Sequence, residues 1–173
     1  MSLAGTTVWL LDANVLIALT QAAHIHHAEA HAWLAQRPRR PWATCALTQL
    51  AFLRLTSNPL VVGSQVSPAQ ALQALAAMAA HPQHSYWPET PEPLAMAELS
   101  SPALVGHRQM TDAYLLGLAA GKRQCLATLD RGLVAFARAV GLAGHVELVD
   151  HAAKQVLEPA APYVAKRAPR RAR

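Results

Sequence analysis

Short apolar segments that alternate with helical stretches constrain the fold of this chain more than any other feature. The first segment, Val8-Trp9-Leu10-Leu11, ends at Asp12, and similar segments recur along the sequence. Strands of a few residues that are separated by helices are typical of βα units, in which parallel strands share one sheet. The sequence therefore predicts an α/β domain with a mainly parallel sheet of about five short strands.

The predicted elements follow from periodicity and from helix-capping residues. Strands are predicted over residues 8–11, 42–44, 85–87, 125–129 and 146–149. Helices are predicted from about residue 15 and over residues 26–35, 47–55, 68–80, 94–99, 111–120 and 133–140. Ser67 followed by Pro68 is a strong helix start, because serine caps the first turn and proline is well tolerated at the first position of a helix. Asn58-Pro59 is expected to end the preceding helix.

The charge of the chain is concentrated at its C-terminus. Its 173 residues carry a formal net charge of +5, but five of the 15 basic residues lie in the last eight positions, which leaves ten basic against ten acidic residues. We therefore expect one domain over residues 6–152 and a basic, partly disordered tail over residues 153–173. Such a tail either adds contacts to phosphates or only improves solubility, and both readings stay open.

Nothing in the sequence indicates secretion or a membrane. No apolar run is long enough to cross a bilayer, and no basic segment precedes an apolar one at the N-terminus. Cys45 and Cys125 both have apolar neighbours, which indicates buried free thiols rather than a disulfide framework. We expect a cytoplasmic protein.

Three aspartates occupy positions where a parallel sheet collects functional groups. Asp12 follows the first strand, Asp130 ends the fourth, and Asp112 lies in the first turn of a predicted helix. Groups at the carboxyl ends of parallel strands meet at one edge of the sheet. Carboxylates crowded there repel one another unless a cation intervenes, and their oxygens favour Mg²⁺ or Mn²⁺. The sequence therefore predicts a metal site suited to phosphodiester hydrolysis.

Each aspartate also has an ordinary structural interpretation. Asp112 suits a helix start and Asp130 suits a turn before Arg131-Gly132. Asp12 is harder to explain in that way, because a carboxylate beside a buried strand is unfavourable unless it is paired or coordinated. Asp150 also follows a strand, and we interpret it as a turn or cap residue.

Four sequence blocks together resemble those of PIN-domain proteins, in particular toxins of the VapC type. They are LLDANVLIAL (10–19), WATC with LTQLAFLRL (42–45 and 47–55), GHRQMTDAYL (106–115) and LATLDRG (126–132). Their order and spacing agree over roughly residues 7–150. The resemblance implies a three-layer α/β/α fold, a homodimer and a Mg²⁺- or Mn²⁺-dependent endoribonuclease whose RNA cleavage is restrained by a VapB-like antitoxin.

The resemblance also implies roles for individual residues. Asp12 and Asp112 would be the main metal ligands, and Asp130 would complete the site directly or through water. Asn14 and Thr128 would orient these carboxylates. Three arginines that flank the blocks are candidates for binding an RNA phosphate, although each is equally well explained as the partner of an aspartate: Arg54, Arg108 and Arg131.

Gln49 departs from the family, which usually has a glutamate at this position. An amide oxygen can ligate a cation, but it carries no charge and cannot act as a base. Gln49 would hold a water or an RNA phosphate instead, or the site would bind metal more weakly. The alternative function is therefore a module that binds RNA or an antitoxin without cleaving. Glu98 is the nearest candidate to replace the missing charge, but we favour a solvated helix residue.

Other signals are weaker. A zinc site is suggested by a cluster of four histidines: His24, His26, His27 and His31. The zincin motif is incomplete and no cysteine is near in sequence, so we expect a polar, partly exposed helix start.

A phosphoacceptor receiver domain would need paired acids after the first strand and a lysine after the last. The lone Asp12, and a lysine only beyond Asp150, disfavour it. DNA as substrate is a variant of the main hypothesis.

Overall fold

The computed structural model describes residues 6–36, 41–107 and 109–150. The basic tail and Arg108 lie outside these residues. The helices are α1 (Ala13–Thr20), α2 (His27–Ala35), α3 (Ala46–Thr56), α4 (Pro59–Val62), α5 (Pro68–Ala79), α6 (Gln109–Gly121) and α7 (Arg131–Ala139). The strands are β1 (Trp9–Leu11), β2 (Trp42–Thr44), β3 (His84–Tyr86), β4 (Cys125–Thr128) and β5 (Val146–Leu148).

The five strands form one parallel sheet in the order β3-β2-β1-β4-β5. Trp9 lies opposite Trp42 on one side and Cys125 on the other, so β1 is central. Because side chains alternate along a strand, β1 contributes to two cores. Trp9 and Leu11 pack with α1, α2 and α3 on one face, and Leu10 packs with α6 and α7 on the other. The three-layer α/β/α fold with a parallel five-stranded sheet is confirmed.

Two predicted elements differ from the structure for local reasons. The prediction of a helix over residues 94–99 was wrong. Two 3₁₀ segments occur there instead, Pro93–Ala95 and Ala97–Ser100, because Met96 between them has an extended backbone. The stop at Asn58-Pro59 is confirmed, but the short α4 that follows it was not predicted. There the Asn58 side chain accepts a hydrogen bond from the Leu60 backbone, and α4 ends at left-handed Gly63.

Capping at α5 follows the prediction. The Ser67 hydroxyl accepts a hydrogen bond from the Gln70 backbone N–H at 3.2 Å, and the Gln70 side chain accepts one from the Ser67 N–H at 2.8 Å. This reciprocal capping box satisfies two backbone donors at the start of the helix. Cys45 and Cys125 are both buried, as predicted, and Cys45 is a free thiol.

Two histidines of the cluster have a structural role that was not predicted from the sequence. The His27 ring contacts the Ala18 carbonyl at 2.7 Å through Nδ1, and the His31 ring contacts the Leu19 carbonyl at 2.9 Å through Nε2. These carbonyls belong to the last turn of α1, where backbone acceptors lack helical partners. The two histidines of α2 therefore cap the end of α1. Within the described residues, no helix is long and apolar enough to span a membrane.

Candidate active site

Asp12 and Asp130 follow neighbouring strands at the carboxyl edge of the sheet. Leu11 at the end of β1 is in register with Ala127 of β4, and the Asp12 N–H donates to the Ala127 carbonyl at 3.0 Å. Asp12 directly precedes α1, and Asp130 directly precedes α7. Asp112 reaches the same region from the first turn of α6, a helix that packs against β1 and β4. The fold therefore places the three predicted carboxylates close enough to interact electrostatically.

A buried hydroxyl joins two of these carboxylate segments. Thr128, which is fully buried at the end of β4, donates from Oγ1 to Asp12 Oδ2 at 2.7 Å. The same Oγ1 accepts from Asn14 Nδ2 at 3.1 Å and from the Asp130 backbone N–H at 3.1 Å. One threonine thus fixes the Asp12 carboxylate and the backbone at Asp130 together.

Asn14 completes this network from α1. Its Nδ2 donates to Asp12 Oδ2 at 2.7 Å, and its Oδ1 accepts from the Leu129 backbone N–H at 3.1 Å. The amide orientation is thereby defined, because the donor faces the carboxylate and the acceptor faces the N–H. Asn14 and Thr128 therefore both contact Asp12.

The electrostatics of the cluster are unfavourable for negative charge. Burial raises the pKa of Asp12 above its usual value, and the charge of Asp130 raises it further, while hydrogen bonds from Thr128 and Asn14 oppose the rise. The pKa of Asp112 is raised to about 6 by burial and by the charges of Asp12 and Asp130. Among the described residues, Asp112 has no hydrogen-bond donor to offset this. A cation between the carboxylates would relieve the repulsion.

Asp130 has a structural role besides its place in the cluster. Its Oδ1 accepts from the backbone N–H groups of Gly132 at 2.6 Å and Leu133 at 3.4 Å, which caps α7. The ordinary interpretation of Asp130 as a turn residue therefore has a physical basis. A capping carboxylate can still offer its second oxygen to a ligand, so the two roles are compatible.

Gln49 is held by a short polar chain that leads away from the carboxylates. Its Nε2 donates to Thr44 Oγ1 at 2.9 Å, and Thr44 Oγ1 contacts His84 Nε2 at 2.8 Å. The other ring nitrogen of His84 contacts the Ala79 carbonyl at 3.0 Å. Because a carbonyl only accepts, His84 Nδ1 carries the proton and neutral His84 accepts from the Thr44 hydroxyl at Nε2. Thr44 must then accept from Gln49, which orients the amide.

The candidate phosphate-binding arginines have different surroundings. Arg131 contacts Asp150 at 3.3 Å through one guanidinium nitrogen and remains 82% exposed. Arg131 is thus the partner of an aspartate, but this aspartate is Asp150 and not one of the three in the cluster. Arg54 is exposed on α3, and Arg108 lies outside the described residues.

Neither of two nearby glutamates enters the cluster. Glu98 packs against α6 at Gly117, where an added Cβ would lie 2.7 Å from Glu98 Oε2. Gly117 is five residues beyond Asp112, roughly 7.5 Å along the helix. Glu89, which follows β3 and was not singled out from the sequence, accepts a short hydrogen bond from the Ala46 N–H and caps α3. The pKa of Asp112 responds to Asp12 and Asp130 rather than to either glutamate.

The donor set suits a hard divalent cation but does not enclose one. Within residues 6–36, 41–107 and 109–150, no three His, Cys, Asp or Glu side chains form a group that could hold an ion by themselves. Mg²⁺ is commonly held by one or two carboxylates, with waters and substrate phosphates completing its shell. Asp12 and Asp112, with raised pKa values and oxygen donors, fit that type of site.

Comparison with known proteins agrees with the fold. A family model for the PIN domain matches residues 9–139. The chain belongs to the PIN-domain family.

Within this family, the chain is similar to several ribonucleases of Mycobacterium tuberculosis. It is 37% identical to Ribonuclease VapC38 over 129 residues, which cover 75% of this chain and 89% of that protein. It is 43% identical to Ribonuclease VapC29 over 124 residues, which cover 72% of this chain and 86% of that protein. Identity to Ribonuclease VapC39 is 38% over 124 residues, with 72% and 89% covered. These relatives define a VapC-type group of PIN-domain proteins to which the chain is similar over most of its length.

Proposed function

We propose that this protein is a metal-dependent endoribonuclease, the toxin of a VapBC-type toxin–antitoxin pair. The observation that carries the proposal is the convergence of Asp12, Asp112 and Asp130 at the carboxyl edge of β1 and β4. The relatives named as ribonucleases support RNA as the substrate. The reaction would be hydrolysis of phosphodiester bonds.

The contacts and charges of these residues support the roles that we propose for them. Asp12 and Asp112 would hold Mg²⁺ or Mn²⁺, and Asp130 would bind it directly or through a water. The ion would polarise a phosphodiester oxygen and lower the pKa of an attacking water. Asn14 and Thr128 hold Asp12 at one oxygen, so its carboxylate keeps one orientation when the ion and the RNA arrive.

Gln49 has a different role from that of a glutamate. An amide cannot take a proton from water, so general-base chemistry would fall to another group of the site. The bond from Gln49 Nε2 to Thr44 fixes its amide, and Oε1 would accept a hydrogen bond from a water or an RNA 2′-hydroxyl. A site with three carboxylates and an amide would therefore remain competent with reduced charge.

The partners of the protein follow from the same proposal. A VapB-like antitoxin would cover the acidic edge and place a basic side chain near Asp12 and Asp112, which would neutralise the cluster without metal. The active form would be a homodimer in the cytoplasm. Size-exclusion chromatography with light scattering, on the protein alone and with the co-expressed antitoxin, measures both assemblies.

The proposal is tested by cleavage of total RNA with Mg²⁺, Mn²⁺ or EDTA, using wild-type protein, Asp12→Asn and the control Glu92→Gln. Glu92 is an exposed acid in the loop after β3. We expect discrete, metal-dependent cuts by wild-type and control protein and a loss of at least about 10³-fold in Asp12→Asn. If folded, antitoxin-free protein leaves RNA intact in both metals while still binding it, the non-cleaving RNA-binding module replaces the nuclease.

A further inference from the structure

A small polar hollow adjoins the carboxylate cluster at the same edge of the sheet. It has a volume of about 70 Å³ and is lined by His26, Glu29, Leu129, Arg131, Leu148, Val149 and Asp150. Leu129 and Arg131 flank Asp130 in sequence, and the Leu129 N–H donates to Asn14 of the cluster. The hollow therefore lies beside the carboxylates, on the β5 side of the sheet.

Two basic side chains face this hollow, and each is tethered by an acid. Arg131 contacts Asp150 at 3.3 Å through a single nitrogen, and most of its side chain is exposed. His26 contacts Glu29 at 2.5 Å through Nδ1, and its Nε2 makes no hydrogen bond among the described residues. Nε2 would donate to a phosphate in the doubly protonated ring, in which both nitrogens carry a proton. A guanidinium has five N–H donors, so Arg131 keeps donors available while it is bonded to Asp150.

The position of Arg131 is distinctive among the described basic residues. Lys122 and Arg123 follow the far end of α6, roughly 15 Å along the axis from Asp112. Arg138 lies in the last turn of α7. Among the lysines and arginines that the structure describes, Arg131 is the one that begins a helix at the carboxyl edge, next to an acidic residue of the cluster.

We propose that the hollow between His26 and Arg131 is a phosphate subsite for the RNA nucleotide that flanks the cleaved bond. This inference rests on the proposed function and adds a direction: the RNA strand passes from the carboxylates over β4 and β5 towards the start of α2. A negatively charged strand beside three carboxylates needs protein cations where the metal does not reach, and phosphate contacts of this kind position a nucleic acid without reading its sequence. Asp150 and Glu29 hold the two basic groups in place before the RNA binds.

The test compares removal of the basic side chain of Arg131 with removal of the acidic side chain of Asp150 that contacts it. Binding of a fluorescein-labelled, mixed-sequence 12-nucleotide single-stranded RNA is measured by anisotropy in EDTA, between 50 and 200 mM salt. Arg131→Gln should bind roughly five- to tenfold more weakly at the lowest salt, and the slope of log affinity against log salt should fall by about 0.7. Asp150→Asn should bind as tightly as the wild type or more tightly, because it frees the guanidinium.

A matched control lies on the same helix. Arg138→Gln removes another exposed charge, at the other end of α7, and should leave affinity within about twofold. His26→Gln should weaken binding in the same direction as Arg131→Gln. Exposed ion pairs contribute little to stability, so these variants should fold, and circular dichroism checks this.

The outcomes separate the subsite from the nuclease. If wild-type protein cleaves RNA but Arg131→Gln behaves like Arg138→Gln, the subsite is wrong and the nuclease stands. If Asp150→Asn weakens binding as much as Arg131→Gln, the intact ion pair matters rather than a free cation, which also overturns the subsite. If wild-type protein neither binds nor cleaves RNA, both proposals fall.

Discussion

The hydroxyl of Thr128 donates a 2.7 Å hydrogen bond to the carboxylate of Asp12, a residue 116 positions earlier in the chain. Both side chains are buried at the ends of adjacent strands, so the bond forms where water competes little for either group. The same hydroxyl also accepts from Asn14 and from the Asp130 N–H. Thr128 therefore couples the carboxylate that would hold the metal to the backbone that carries Asp130.

Removing this hydroxyl should affect both stability and metal affinity. We expect Thr128→Val to lower the free energy of unfolding by about 1–3 kcal/mol, because Asp12 and Asn14 lose a buried partner. Mn²⁺ affinity, measured by calorimetry, should fall by roughly 10- to 100-fold. Thr128→Ser keeps the hydroxyl and should restore most of the affinity. An equal loss in both variants would indicate that the methyl group, rather than the hydroxyl, is important.

Asp112 should make metal-free protein less stable as pH rises. Its pKa is higher in the folded state, about 6, than the ordinary value of 3.8, so the folded state binds this proton more tightly. Stability from this group is therefore complete below about pH 4, declines between about 4 and 6, and stays low above that range. The raised pKa of Asp12 acts in the same direction. Urea unfolding in EDTA from pH 4 to 7 measures the decline.

Asp112→Asn should reverse that pattern. It removes the unfavourable charge, so we expect a gain of about 1 kcal/mol in metal-free stability at pH 7, after allowance for solvent screening. Because the variant lacks the charge of Asp112, Mn²⁺ should raise its thermal unfolding temperature much less than it raises that of the wild-type protein. A variant that is less stable in EDTA and still responds fully to Mn²⁺ would contradict the assigned electrostatics.

Restoring the family's glutamate at Gln49 should come at the expense of a hydrogen bond. Gln49 donates to Thr44, whose own proton goes to His84, whereas a glutamate can only accept. We expect Gln49→Glu to lower stability by about 1 kcal/mol at neutral pH. In His84→Asn, whose amide can donate to Thr44 and turn its hydroxyl towards residue 49, the added glutamate should be tolerated better. A double-mutant cycle on the free energies of urea unfolding measures this coupling. Additive effects of the two substitutions would contradict the hydrogen-bond series from Gln49 through Thr44 to His84.

Glu147 offers a test of the fold that is independent of the site. Its two carboxylate oxygens accept from the Trp9 indole at 2.8 Å and the Trp33 indole at 3.0 Å, which ties β5 to β1 and α2. In Glu147→Gln, an amide NH₂ would face one of these N–H donors, so we expect a loss of about 2 kcal/mol in stability. Tryptophan fluorescence follows the unfolding. Mn²⁺ affinity should be unchanged, and Glu92→Gln serves as the exposed control.

The sequence alone determined most of the elements and the candidate acids. Periodicity and capping residues predicted five parallel strands, the start of α5 at Pro68 and the end of α3 near Ser57, because these features reflect local backbone preferences and the burial of one face. The positions of Asp12 and Asp130 after strands followed from the same reasoning, since the carboxyl ends of parallel strands share one edge.

Only the tertiary structure decided how those groups are connected. The bonds from Thr128 to Asp12 and from Glu147 to Trp9 join residues more than 100 positions apart, and the register of the sheet sets them. The attachment of Gln49 to Thr44 and His84 likewise depends on the packing of α3 against neighbouring strands. Local preferences carry no information about which distant side chains meet. That choice is made by the packing of strands and helices into one core.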